Sequence, residues 1–300
     1  MASDSVSIAL AAPAETGAPI AAPSAAATPN RPRPAAWSAP SSGVPPAAKS
    51  FQWASLLPIL GPLLLFIAWD LAVRSGSIKP ILLPTPLDTI STLLTGLFGG
   101  PLLLDFAVTV KRTLEAFAIA TVFGVPIGIA LGSNEKAYRS VEFLIDFFRS
   151  TPSSALIPLF LLIFGVSDIN KVAIAAFGAL LIVLFTSAYG VMNARKQRIM
   201  AARVMGATRW QIFRDVLIWE SMQPTFVGLR SAVSMALVIV IVAEMFIGSD
   251  NGLGHRIIDS QQVMNVKSMY AAILAAGILG YSLNMLFLVI ERRVVHWSGR

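Results

Sequence analysis

The sequence contains no cysteine. That excludes disulfides, thiolate nucleophiles and Cys-ligated zinc, and with His255 and His296 the only imidazoles, no metal site is expected. Charge is scarce too: 13% of residues are Asp, Glu, Lys or Arg, about half the density of an average soluble domain. A Gly-x-x-x-x-Gly-Lys-Ser/Thr phosphate loop is also missing, so nothing in the chain can cradle a triphosphate.

Apolar residues make up 55% of the 300 positions. They fall in repeated runs of about 20, the length that crosses a bilayer, whereas one soluble core of this size has no need of such runs. The formal charge of +7 flanks these runs instead of forming a basic reading face. It therefore reports membrane topology and argues against nucleic-acid binding.

Residues 1 to about 50 are rich in Ala, Pro and Ser, as in Arg31-Pro32-Arg33-Pro34, and are expected to be a disordered tail ahead of a transmembrane domain over 51–300. Asp4 and Pro13 around the short Ile8-Ala9-Leu10 do not make a cleaved signal. Six spans are expected, near 55–73, 113–132, 141–165, 172–191, 226–248 and 271–290. The third holds Pro152 and Pro158 and should be kinked or in two parts. After the stiff turn Leu83-Pro84-Thr85-Pro86, Thr85 or Asp88 can cap a short amphipathic segment carrying Ile90, Leu93, Leu94 and Leu97.

Six spans leave both termini on one side. Fourteen Lys and Arg collect there: six in the loop (Arg195, Lys196, Arg198, Arg203, Arg209, Arg214), six near the termini (Arg31, Arg33, Lys49, Arg292, Arg293, Arg300), and Lys136 and Arg139. Seven lie opposite, at Arg74, Lys79, Lys111, Arg112, Lys171, Arg256 and Lys267. The positive-inside rule then puts the termini and the loop in the cytoplasm.

That loop, about 193–224, reads as two short helices. The first is rich in Ala and Met, and Gly206 suits the left-handed turn that ends it. Thr208 with Gln211 forms a capping-box signature for the second, on which Trp210, Phe213 and Leu217 recur at helical spacing. Such an amphipathic element either inserts into a groove of a partner protein or lies on the inner leaflet, and the pattern alone allows both.

Met200 to Trp219 resembles the EAA loop of ABC importer permeases: Glu-Ala-Ala, three residues, Gly, nine residues, Ile, one residue, Leu-Pro. Ala201, Ala202 and Gly206 match, Val216 and Ile218 are conservative replacements, and Met200 and Trp219 stand where Glu and Pro are usual. Over about 55–297 the chain is most similar to nitrate, sulfonate and taurine importer permeases. The similarity is carried by Leu83-Pro84-Thr85-Pro86, Arg149-Ser150-Thr151-Pro152, Phe164-Gly165, Gly228-Leu229-Arg230, Ala243-Glu244-Met245, Gly252-Leu253-Gly254 and Glu291-Arg292-Arg293 with Trp297.

The resemblance implies an all-α integral membrane protein of the type I importer permease kind, in a bacterial inner membrane. It implies a homodimeric channel, two cytoplasmic ATPase subunits that bind the ATP, and a periplasmic binding protein delivering a small solute such as an aliphatic sulfonate, taurine or nitrate. No catalysis and no cofactor are expected on this chain. The ATPase contact would use Met200, Ala201, Ala202, Gly206, Ala207, Trp210, Phe213, Val216 and Ile218. An ion-gradient-driven transporter is the alternative, but it should show broken helices and membrane charges at matched positions in two halves, and no such repeat is visible.

Two further residues are candidates for the translocation path. Glu244, near the end of span five, either faces a cavity or partner helix or is hydrated at the membrane boundary. Arg230 could take an oxyanion bidentately, although its place near the inner end favours snorkelling to lipid phosphate. Asp146 and Arg149 are spaced to pair on one helix.

Overall fold

The computed structural model describes residues 57–76, 78–79 and 81–295. The chain divides into Met1–Ala54 and Ser55–Arg300. The Ala/Pro-rich tail, His296, Trp297 and Arg300 lie outside the described residues.

Among the described residues every regular element is helical. In chain order these are α1 Leu57–Arg74, α2 Pro86–Gly99, α3 Leu102–Gly132, α4 Glu135–Ser150, α5 Ile157–Phe164 after a 3-10 turn at Ser153–Leu156, and α6 Asp168–Met192. They continue with α7 Lys196–Val204, α8 Arg209–Ile212, α9 Ile218–Phe246, α10 Leu253–Gln262 and α11 Val266–Val294. Side chains stop and start them. The Thr85 hydroxyl accepts from the Asp88 amide to begin α2, Asn134 and Ser167 begin α4 and α6, and Asn265 begins α11.

Four runs are long and apolar enough to cross a membrane: α3, α6, the stretch Arg209–Phe246 and α11. A fifth is the pair Glu135–Ser150 and Ser153–Phe164 if taken as one span, bent by 90°. These four or five spans stand where the second to sixth of the six expected spans were placed, and the apolar helix α1, Leu57–Arg74, stands at the place of the first. The two-part third region has the anticipated cause, because Pro152 holds Thr151 extended at φ −82°, ψ 125° and ends α4.

Two boundaries differ from the sequence reading. The second span begins at Leu102, not near Thr113, because Lys111 and Arg112 are part of the helix and Arg112 is buried. The fifth does not begin afresh near Phe226. α8 passes through a π turn at Phe213–Leu217 into α9, which carries Pro224 inside it. A π turn absorbs one residue without breaking the helix, so loop and span become one element.

Helices in lipid have little hydrophobic drive to associate and depend on close packing of small residues. Along α3, Gly124, Gly128 and Gly132 approach the carbonyls of Leu180, Leu184 and Ala188 on α6, so the two helices run parallel in step. α9 runs antiparallel to α6, with Gly178, Thr186 and Gly190 meeting Ile239, Gly228 and Ser221. Ala175, Ala179, Val183, Ala232, Ala236, Val240 and Ala243 fill that core. α11 brings Ala271, Ala275, Leu279 and Leu283 against Val233, Leu237 and Leu253. Large apolar side chains such as Leu65, Val122, Phe123, Leu162 and Ile163 face outward, as in a protein solvated by lipid.

Candidate functional site

The two ends of α6 carry different chemistry. Its 25 residues span about 37 Å, enough to cross the hydrocarbon layer. Met192 leads into the α7–α8 loop, and Asp168 opens onto a polar cluster at the opposite end.

Gly206, at φ +83°, turns the chain out of α7. The Gly206 amide bonds the Arg203 carbonyl and the Ala207 amide the Ala202 carbonyl, both at 3.0 Å, closing a Schellman motif. The capping box follows: the Gln211 amide donates to the Thr208 hydroxyl at 3.3 Å, and the Thr208 amide donates to the Gln211 side chain at 2.8 Å. An Arg198–Glu220 ion pair ties α7 back to α9. Thr208→Ala is expected to cost about 1 kcal/mol of local stability. Amide hydrogen exchange at Arg209–Gln211 should rise while the abundance of the protein stays unchanged.

The nine loop residues separate into two groups. Ala202 is buried, Ala207, Phe213, Val216 and Ile218 are half-buried, and these seat the element on the bundle. Met200, Ala201, Gly206 and Trp210 are exposed, Trp210 stacking on Phe213 at 5.5 Å. The outer ridge also contains Val204 and Met205, which are 89% and 80% exposed and were absent from the residues singled out by sequence. Their signal was position: they are the last apolar residues before the Gly206 turn, where the helix end projects.

At the far end Glu244 is completely buried, so it is neither hydrated nor open to a cavity. Its carboxylate accepts from Arg112 Nη1 at 2.7 Å, from the Thr109 hydroxyl at 2.9 Å and from the Gly254 amide at 2.9 Å. Arg112 Nη2 reaches Asp168 at 2.6 Å, and Lys171 reaches the same carboxylate at 3.2 Å. Asp105 accepts from the Gly252 amide at 2.8 Å and pairs with Arg256 at 2.6 Å. Beside this cluster lies a cleft of about 410 Å³ lined by Arg112, Asp168, Lys171, Ser249 and Asn251 among others. Sequence reading placed Arg112, Lys171 and Arg256 outside the spans as topological charges. Arg112 and Lys171 are instead buried in ion pairs.

Arg230 pairs with Glu291 at 3.5 Å and lines a shallow cleft with Ser231, Ser234 and Asn284. Asp146 and Arg149 do pair, at 3.5 Å, and the guanidinium also lies 4.0 Å from the Phe185 ring centre. Among the described residues no group of three or more His, Asp or Glu could hold a metal.

An all-helical bundle with an exposed two-helix connection at one end matches one family model, the binding-protein-dependent transport system inner membrane component, over residues 124–296. The chain belongs to that family. It is a multi-pass inner-membrane permease subunit of an ABC importer, a transport component whose ATP hydrolysis belongs to a separate subunit. A probable ABC transporter permease of Brucella abortus is 28% identical over 232 residues, covering 77% of this permease and 91% of the relative. The taurine transport system permease TauC of Escherichia coli is 26% identical over 241 residues, covering 79% and 87%. Among solved structures, the inward-facing MetNI methionine ABC transporter aligns at a TM-score of 0.57 and 23% identity, covering 65% of this permease and 96% of that chain. The fold is therefore that of a type I importer permease, and the ion-gradient alternative falls away.

Proposed function

We propose that this permease forms a homodimeric channel for a small solute, an aliphatic sulfonate, taurine or nitrate, with both termini cytoplasmic. Two ATPase subunits bind ATP and dock on α7–α8, and a periplasmic binding protein delivers the solute. The carrying observation is the ridge Met200, Val204, Met205 and Trp210, four large apolar side chains left exposed on a rigidly capped turn. A lipid-lying helix would bury a continuous apolar face in the interface plane. Here the exposed apolar groups gather around the short Gly206 turn, Val204 and Met205 just before it, Met200 one helical turn back and Trp210 just after it, an arrangement suited to insertion in a groove. Met200, Ala201, Gly206 and Trp210 supply contact surface, while Ala202, Ala207, Phe213, Val216 and Ile218 hold that surface in place.

The substrate class rests on similarity to a taurine permease and on the overall sequence resemblance. Neither candidate path residue supports direct oxyanion binding in this conformation, since Glu244 is sealed and Arg230 has Glu291 as its partner. Selectivity is accordingly assigned to the binding protein. Uptake of radiolabelled taurine, methanesulfonate and nitrate, compared between cells lacking this gene and cells with it restored, tests the assignment. One of the three should be taken up only when the permease is present, and uptake of all three independent of it would refute the substrate class.

A further inference from the structure

α10 lacks a cap of its own. Its N-cap is Gly252, at φ +138°, with no side chain to accept the free amides that every helix start presents. Three successive amides are instead satisfied from other helices: Gly252 by Asp105, Leu253 by Thr109 and Gly254 by Glu244, at 2.8, 2.8 and 2.9 Å. Asp105 and Thr109 stand on α3 and Glu244 on α9, so the cap of α10 is assembled from two spans. The fit is close, because a methyl group on Gly252 would lie 2.5 Å from the Glu244 carboxyl carbon.

Glu244 is the junction. Arg112 holds it from α3 and passes on to Asp168 at the head of α6, so α3, α6, α9 and α10 meet through one carboxylate–guanidinium–carboxylate chain. Arg112 also donates to the Asn251 carbonyl at 2.9 Å, fixing the approach to α10. A buried ion pair is weak evidence of stability, because desolvation offsets its attraction; in some proteins such pairs instead select one arrangement against others.

We propose that Glu244 is a positioning residue for transport: with Arg112 and Thr109 it locks α10 onto α9 and α3, so that the far end moves as one body with α9. Because α9 is continuous with α8, movement at the loop then reaches α10 without slippage. This transmission rests on the coupling role given to the loop. The lock itself does not.

The absence of cysteine makes a clean test available. Ser260→Cys places a near-isosteric thiol at a buried position on α10, and Ser187→Cys does the same on α6, away from the clasp. Maleimide labelling of each is followed in the intact permease–ATPase complex in nanodiscs, without nucleotide and with ATP and vanadate. Glu244→Gln and Thr109→Val should each raise the Ser260→Cys rate about tenfold or more without nucleotide, the effect of losing a buried charge-assisted or capping bond. Ser187→Cys should be unaffected, and Glu244→Asp should restore most of the protection.

In the Glu244→Gln background the Ser260→Cys rate should also become nucleotide-dependent, whereas the parent stays protected in both states. If Glu244→Gln does not assemble, Thr109→Val alone decides. A Ser260→Cys rate that stays near the parent's, or a parallel rise at Ser187→Cys, would overturn the proposal. A nucleotide-free loosening with no nucleotide dependence would keep the lock and remove its link to the loop.

Discussion

Replacing Val204 and Met205 together by glutamate is expected to abolish binding of the ATPase subunit and with it ATP-dependent uptake, while the permease still inserts and accumulates. Both side chains are almost fully exposed, so the folded chain loses no packing. Two carboxylates near the C-terminal end of α7 oppose its dipole at a cost of about 0.3–1 kcal/mol each, too little to unfold it. Docking is affected far more. On the proposed docking each carboxylate would enter the partner's groove unpaired, and burying even a neutral polar group that way costs about 1–3 kcal/mol on mutational scales, with charge adding to it. Two such penalties amount to about a hundredfold or greater loss of affinity. Co-purification of the ATPase with the permease, set against permease abundance in the membrane, measures it. Retained ATPase at normal abundance would mean that the ridge is not the contact.

The second large effect concerns the seam of α3 and α6. Gly128→Val and Gly132→Val are expected to prevent the bundle from closing. A Cβ at Gly128 would lie 2.5 Å from the Leu184 carbonyl oxygen, and one at Gly132 would lie 2.5 Å from the Ala188 carbonyl oxygen and 2.9 Å from its Cα. These are backbone atoms of a long helix, so relief requires the helices to separate and not merely a rotamer change. Overpacking of this kind costs about 1–3 kcal/mol per site, occasionally more. In lipid no hydrophobic gain compensates for the widened gap. The double variant should fail to accumulate and each single variant should melt at a lower temperature in detergent. Gly277 on α11 is the control, since nothing lies within 4 Å of its Cβ position. Gly277→Ala should be neutral or slightly stabilising, by up to about 1 kcal/mol from helix propensity.

Much of the loop was legible because its signals are local. Gly206 reads as a left-handed turn and Thr208 with Gln211 as a capping box from residues within one turn of each other, and both appear as read. The break at Pro152 is equally local. The far-end clasp was illegible for the opposite reason: Thr109 and Glu244 are 135 positions apart and Asp105 and Gly252 are 147 apart. Hydropathy treats Lys111 and Arg112 as the edge of a span, which cut α3 short by eleven residues (Leu102 against Thr113). Only the pairing of Arg112 with Glu244 and Asp168 shows that its charge is buried at tolerable cost. Depth alone left Glu244 open between a cavity or partner helix and a hydrated boundary, and its role as a cap required Gly254 to be seen beside it. The continuity of α8 with α9 was hidden because a π turn has no sequence signature comparable to a cap.

The ridge of α7 is proposed as the surface that receives force from the ATPase. In this cysteine-free chain a single Met205→Cys, with a cysteine placed on the ATPase surface proposed to receive the ridge, can be oxidised in native membranes. A disulfide-linked permease–ATPase band that forms with Met205→Cys and Val204→Cys, but not with a cysteine at the equally exposed Phe98 on α2, is the expected result. An ATPase that co-purifies yet never cross-links to either ridge position would contradict it.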